Sequence, residues 1–427
     1  MKRGEDVKAS KLDWVTILIV ATLAIAGWLN IYAVVYDSQV DQNIFDITQN
    51  SGKQLLWMGI SVIAVSLIMI MDFRFFDSFA YGFYGVVISL LIGVLLLGTV
   101  VSGSKSWFEF GFVRFQPAEF AKFATALAIA KFLVKPQIKV DNLKTIAVLA
   151  MIVGLPAALI VLQGDTGSAL VFGAFVLVLY REGLSPVIVL IGVIAVALFV
   201  LTLLFGPTVL IGALILTGVA VFLYWLITRK VTPKRIWTLL FVVLIPTAVI
   251  LSVNWVVTDL MQPHQQNRVK AFVNPEADPL GYGYNVTQSK IAIGSGGFFG
   301  KGFLEGTQTK FDFVPEQSTD FIFCTIGEEH GWLGSFILIA LFVTLLLRIV
   351  FIAERQKSKF SRVYGYGVAA ILFFHFMVNI GMTIGLFPVI GIPLPFFSYG
   401  GSSLLAFSVL IFILLKMDAH RMQMLVR

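Results

Sequence analysis

Residues 305–330 read Glu-Gly-Thr-Gln-Thr-Lys-Phe-Asp-Phe-Val-Pro-Glu-Gln-Ser-Thr-Asp-Phe-Ile-Phe-Cys-Thr-Ile-Gly-Glu-Glu-His, a polar stretch with six carboxylates inside an otherwise apolar chain. Asp320 stands where polar sequence turns apolar at Phe321, Ile322 and Phe323. A carboxylate at such a boundary is partly desolvated yet within reach of a substrate arriving through water, which suits it to take a proton from a hydroxyl. Glu316 lies four residues earlier and shares a face with Asp320 if the stretch is helical, although Pro315 confines any helix to the residues after it. The bland alternative is a solvated acidic loop.

Two further polar segments complement these acids. Ser102–Lys122 contains Trp107, Arg114, Gln116, Glu119 and Lys122. Pro117 suits the first position of a helix, where its missing N–H costs nothing, and Glu119 and Lys122 then fall three apart on one face. Lys122 sits about 7 Å into that helix at 1.5 Å per residue, where a basic side chain costs about 2.5–3.5 kcal/mol in a bilayer. Either a polar cavity or an internal pair with Glu119 must offset that. Trp107 reads as an interfacial anchor or as a surface for sugar or lipid. Gln163–Ser168 carries Asp165, which could cap the helix after it or join the site. In the long segment 258–331, Gln265, Arg268 and Lys290 add polar and cationic groups, and Gly and Pro density predicts irregular backbone with short helices. Gly391–Ser402 reads as a re-entrant turn in which Pro393 and Pro395 stop helix propagation. His375 and Asn379, four apart in an apolar run, are expected to bond to neighbouring helices.

The elements that must hold these groups are membrane spans. Of 427 residues, 58% are hydrophobic and only 13% charged, about half the charge of an ordinary soluble domain. Apolar runs of span length fall near 14–35, 54–71, 77–100, 117–134, 144–163, 185–205, 208–228, 236–257, 332–353, 363–386 and 402–416, with a shorter one at 167–180. The expected fold is therefore an all-α polytopic membrane protein of ten to twelve helices, one membrane domain over 1–427 with a large extracytoplasmic loop at 258–331. With a cytoplasmic amino terminus, basic residues concentrate on the inner side: Lys2, Arg3, Lys8 and Lys11, Arg74, the loop 131–144, Arg181, Arg229–Arg235, Arg348–Arg362 and the tail. This places both termini in the cytoplasm and Asp320 outside. The first apolar run, full span length, reads as a signal anchor. The net charge of +7 then points to the cytoplasmic leaflet and not to nucleic acid. A single Cys324 excludes an internal disulfide and reads as a small buried residue. No zinc-type cluster, phosphate-binding Gly-Lys-Ser/Thr loop or dinucleotide motif is present, so nucleotide hydrolysis is not the expected energy source and no organic cofactor is expected.

Several strings together are similar to the signatures of the SEDS family (shape, elongation, division and sporulation). They are Arg114–Lys122, Gly164-Asp-Thr-Gly-Ser168, Asp278–Asn285, Gln288–Gly297, Gly306-Thr-Gln-Thr-Lys310, Pro315–Phe323 and Gly391–Gly401. Gly-Thr-Gln-Thr before Pro-Glu-Gln resembles the elongation branch more than the division branch. The resemblance implies a bacterial glycosyltransferase that polymerises lipid II outside the cytoplasmic membrane. Its implied partners are a class B penicillin-binding protein and other membrane proteins of the elongation complex, met on spans flanking Arg348–Arg362. Asp320 falls on the family's essential aspartate, and Arg114, Lys122 and Asp165 on motif positions of the central cavity. Two departures stand out. Ser318 occupies a place where the family commonly has His, and the hairpin near 185–228 exceeds the usual ten spans.

The residues fit this chemistry without the family. Joining two lipid II molecules needs a base for a sugar hydroxyl and positive charge for a departing diphosphate. Asp320 is the expected base; Arg114, Lys122, Arg268 and Lys290 are the expected diphosphate contacts, and Trp107, Gln116, Glu119, Asp165, Gln265 and Glu316 complete the expected substrate surface. A divalent cation, Mg or Mn, could share the load through Asp165, Glu119 or the diphosphate, although no dedicated cage is evident. The rival readings are a lipid II flippase and a non-enzymatic scaffold of the cell-wall machinery.

Overall fold

The computed structural model describes residues 12–36, 43–101, 103–111, 113–136, 138–261, 263–273, 282–311 and 313–422. The basic leader, Asp278–Gly281 of one signature string and the final five residues lie outside them. The chain, expected from its sequence to be one membrane domain, divides into two compact units, 1–183 with 285–427, and 184–284.

The first unit begins with α1 (Trp14–Val35), α2 (Asn50–Ile70), the short α3 (Phe73–Ser78) and α4 (Ala80–Leu97). A small three-stranded antiparallel meander comes next, β1 (Thr99–Val101), β2 (Ser104–Phe110) and β3 (Val113–Phe115). It is an addition to the all-helical expectation. Gly103 (φ +85°) and Gly111 (φ +63°) make its turns in the left-handed region that glycine enters without steric cost. Lys105 pins the meander to the bundle by donating to the Leu95 and Leu96 carbonyls at 2.9 and 3.2 Å, which are left open where α4 ends. Beyond it lie α5 (Pro117–Leu133), α6 (Leu143–Leu162), α7 (Thr166–Val171) and α8 (Phe175–Arg181). As expected, Pro117 opens α5.

The second unit holds α9 (Pro186–Phe205), α10 (Pro207–Ile227) and α11 (Pro233–Trp255), which pack on one another, and α12 (Pro263–Val273). Gly206 (φ +78°) and Pro207 break the long apolar run into the hairpin expected near 185–228. The first unit resumes through α13 (Tyr282–Ser295), α14 (Thr307–Lys310), α15 (Ile322–Glu329), α16 (Gly331–Glu354), α17 (Lys359–Thr383) and α18 (Gly401–Ala419).

Among the described residues, ten helices are long and apolar enough to cross a membrane, and the two remaining apolar runs form α5 and the broken helix 166–181. α5 is shorter and charged for a physical reason: it is the core. Fourteen of its seventeen residues are buried, and alanines at 118, 121, 124, 126, 128 and 130 let α4, α17 and α18 approach its backbone closely. Cys324 is buried and free, in keeping with its reading as a small apolar residue.

Candidate active site

The Pro315–Phe323 string does not form the helix that would align Glu316 with Asp320. Residues 315–321 are a tight turn, and α15 starts only at Ile322. Glu316 adopts φ +54°, a sparsely populated conformation for a non-glycine residue, and its carbonyl accepts from the N–H groups of Thr319, Asp320 and Phe321 at 3.1–3.2 Å. The Thr319 hydroxyl donates to the Glu316 carboxylate at 3.0 Å. Asp320 is therefore held by its main chain, half-buried, at the point where Phe321 and Ile322 enter the core. Its carbonyl accepts from the Asn379 side-chain amide at 2.9 Å. The neighbouring Ser318 carbonyl accepts from Tyr399 N–H at 2.9 Å, and the Ser318 hydroxyl accepts from Asn50 at 3.4 Å.

The β3–α5 corner supplies a second group of expected site residues. Arg114 is exposed and pairs across the β2–β3 ladder with Glu109 at 2.8 Å. Ser402, at the start of α18, donates to the Arg114 carbonyl at 3.0 Å and accepts from Gln116 N–H at 3.2 Å, anchoring the corner. The Gln116 side-chain amide donates to Asp165 at 2.7 Å, and the other Asp165 oxygen accepts from Ser168 N–H at 3.0 Å. Asp165 thus caps α7 and meets Gln116 at once. Trp107 lies half-buried on β2 opposite Thr99.

Glu119 and Lys122 take the paired arrangement. Lys122 is only 2% exposed, with Nζ 2.8 Å from Glu119 Oε2 and 2.9 Å from His375 Nε2. The other ring nitrogen of His375 lies 3.0 Å from the Pro393 carbonyl, which can only accept. Nδ1 therefore carries the proton and Nε2 accepts from the ammonium. The bilayer cost of Lys122, about 2.5–3.5 kcal/mol, is offset by this pair and by the Phe407 ring 5.1 Å away.

Lys290 is exposed on α13, and its side chain lies across Gly385, where φ is +78° and a Cβ would collide with it. Among the described residues it has no ion-pair partner. Gln265 and Arg268 lie half-buried on α12 in the second unit. For a divalent cation the fit is poor. Glu119 is committed to Lys122 and Asp165 to the α7 cap, and no cluster of three ligating side chains occurs among the described residues.

The profile of the FtsW/RodA/SpoVE family, described as cell cycle protein, matches residues 13–215 and 210–423. The chain belongs to this SEDS family. The peptidoglycan glycosyltransferase MrdB of Escherichia coli K12 is 35% identical over 349 residues, covering 82% of this chain and 80% of the relative. The peptidoglycan glycosyltransferase RodA of Treponema pallidum is 33% identical over 440 residues, covering 97% and 99%. Among solved structures, a chain described for the coordination of polymerization and crosslinking by a peptidoglycan synthase complex superposes with a TM-score of 0.71. It is 27% identical and the match covers 96% of this chain and 99% of that one. Thermus thermophilus RodA shares the fold at a TM-score of 0.63 and 24% identity, covering 96% and 97%.

In this SEDS protein, no spacing or motif points to the way Glu328 organises the Gly306-Thr-Gln-Thr string. Its fully buried carboxylate accepts from Lys301 Nζ at 2.6 Å, the Thr307 hydroxyl at 3.2 Å, and the N–H groups of Gln308 and Thr309 at 2.8 and 2.9 Å. Burial opposes its ionisation, but Lys301 and the two N–H groups outweigh that and hold its pKa down. Adjacent Glu329 is pushed up to about 7, by burial first and also by the Glu328 charge, despite an N–H bond from Leu304. The pair obeys the usual rule that neighbouring buried acids separate in pKa.

Proposed function

We propose that this multi-pass SEDS protein is a peptidoglycan glycosyltransferase that polymerises lipid II for cell elongation, with Asp320 as general base. The observation that carries the reading is a half-buried aspartate fixed by its main chain in the strained Glu316 turn. The relatives' names supply the reaction class. The acceptor's N-acetylglucosamine 4-hydroxyl gives its proton to Asp320 as its oxygen attacks the donor's anomeric carbon. The bond from that carbon to the diphosphate oxygen breaks, and undecaprenyl pyrophosphate leaves with the bonding pair. One displacement inverts the centre and needs no covalent enzyme intermediate.

Arg114 and Lys290, both exposed, are the cations whose positions support contact with the leaving diphosphate. Lys122, buried against Glu119, supports the wall of the site through His375 and would meet the diphosphate only if that pair opened. Gln116 and Asp165 form a polar edge at the Arg114 corner, with Trp107 on the neighbouring strand. Glu316, in the Pro315–Phe323 string, remains a proposed substrate contact on motif grounds, and Gln265 and Arg268 remain so as polar and cationic groups of the 258–331 segment. A divalent cation, if one takes part, would be carried by the diphosphate. The basic-residue asymmetry supports cytoplasmic termini and an extracytoplasmic Asp320. The synthase-complex neighbour supports a crosslinking partner of the class B penicillin-binding type.

A flippase needs a polar route through the full depth of the bundle. Below Lys122, α5 continues through buried Phe123–Ala130, with Thr125 its only polar side chain, which favours chemistry at one end over passage. The test supplies purified chain and transpeptidase partner with labelled lipid II. Glycan strands are expected; no polymer, together with lipid II crossing liposomes that contain this chain alone, would replace the reading with transport.

A further inference from the structure

Asn379 lies on α17, fully buried, one helical turn beyond His375. Its amide nitrogen donates two hydrogen bonds, both 2.9 Å, to carbonyls far apart in sequence: Asp320 and Ile392. Its Oδ1 has no partner among the described residues. One turn earlier His375 holds the next carbonyl of the same loop, Pro393, and receives Lys122 on its other face. Two consecutive carbonyls of the 385–400 loop and the carbonyl of Asp320 are thus read by two side chains of a single rigid helix. The opposite edge of that junction is closed by Tyr399 N–H on the Ser318 carbonyl. Only a primary amide offers two N–H donors from one atom without a charge, so the geometry asks for Asn rather than Asp, Ser or His.

We propose that Asn379 is a positioning residue for Asp320, a role no motif assigns to it: its carboxamide fixes the aspartate's backbone against the 385–400 loop and so sets where the general base meets the acceptor hydroxyl. The inference rests on the general-base reading above. General-base catalysis demands hydrogen-bond reach, and a displacement of about 1 Å in a reacting group costs on the order of a hundredfold in rate. The bonds are to main chain and touch no substrate, so their loss falls on the chemical step and leaves binding alone.

The experiment measures steady-state lipid II polymerisation by the full chain with its partner. It compares wild type with Asn379→Asp, which keeps the volume and removes both donors, and Asn379→Leu, which removes them without burying a charge. The expected result is a kcat lowered tenfold or more, with KM within about twofold and the thermal midpoint within a few degrees of wild type. Wild-type kcat in either folded variant, or a loss confined to KM, overturns the proposal. Recovery of neither variant as monodisperse protein would mark Asn379 as a folding element and overturn it equally. Failure of the underlying reading looks different: wild type making no polymer sinks the glycosyltransferase assignment, and full activity of Asp320→Asn sinks the base on which the positioning role depends.

Discussion

At the end of the first unit where α16 and α18 finish, charge is matched with charge; the Asp320 turn itself is tied to its neighbours by neutral amides and hydroxyls bonded to main-chain groups, with the charged pairs Glu119–Lys122 and Glu328–Lys301 set apart from it in the chain. Asp13, which caps α1, meets Arg348 at 2.6 Å and Arg355 at 3.0 Å. Burial opposes its ionisation, yet the Arg348 guanidinium and the Thr16 N–H and hydroxyl hold its pKa at about 2. Arg355 also forks onto Asp418, joined there by Gln356 at 2.8 Å and Arg421 at 3.3 Å. Glu182 is similarly met by Arg362 at 3.3 Å. Across the bundle, Asn379, Gln54, Asn50 and Ser402 hold main-chain or hydroxyl groups instead. The difference separates two uses of ionisable side chains. Where the carboxylates are the scaffold, they are neutralised in place. At Asp320, the proposed base, the bonds that fix the residue in its turn run through its peptide groups.

The largest effect is expected at the arginine-rich end. Asp418→Ala leaves Arg355 and Arg421 short of a partner beneath buried helix ends, and is expected to lower stability by about 3 kcal/mol. Thermal unfolding should show the loss while the folded fraction keeps wild-type kcat. A fall in kcat with unchanged stability would show that the two ends do not divide labour in this way.

A smaller effect, and one that depends on pH, is expected at Glu329. Its folded pKa of about 7 lies above the 4.5 of an ordinary glutamate, so between those values the folded state holds a proton that the unfolded state has released. Stability should therefore fall as pH rises from about 4.5 to 7 and level off above. Glu329→Gln should flatten that slope in unfolding measured across the range. An unchanged slope would locate the titrating group elsewhere.

The smallest change in stability belongs to the exposed Arg114–Glu109 pair, worth about 0–1 kcal/mol. Arg114→Ala should leave the melting temperature nearly fixed and raise KM for lipid II, which would separate a surface ion pair from a substrate contact. An unaltered KM would remove Arg114 from the diphosphate site.

Much of the fold can be read from the sequence because its signals are local. The apolar runs are long enough to mark every spanning helix, Pro117 opens its helix as proline does, and the Asp165 cap is announced by one acidic residue before Thr-Gly-Ser. Lys122 is readable as a cost that requires Glu119 or a cavity, and the structure chooses Glu119. The meander escapes such a reading although its signals are present, since Ser-Gly and Phe-Gly turns flank a short run alternating polar and aromatic residues. Two of its three strands have only three residues, too little pattern to outvote adjacent helices. Pro315 warns that Glu316 and Asp320 share no helix, yet nothing local announces the left-handed Glu316. The roles of Asn379 and Glu328 depend on partners brought together by tertiary packing, with Asp320 59 residues away from Asn379 along the chain. No spacing rule reaches that far.

The role of Asp320 stands or falls on lipid II polymerisation by the Asp320→Asn chain, purified with its partner and matched to wild type in folded amount. Loss of a positioned general base predicts a drop of about 10²–10⁴-fold in strand synthesis with lipid II still bound. Glycan strands formed at the wild-type rate would rule out Asp320 as the base.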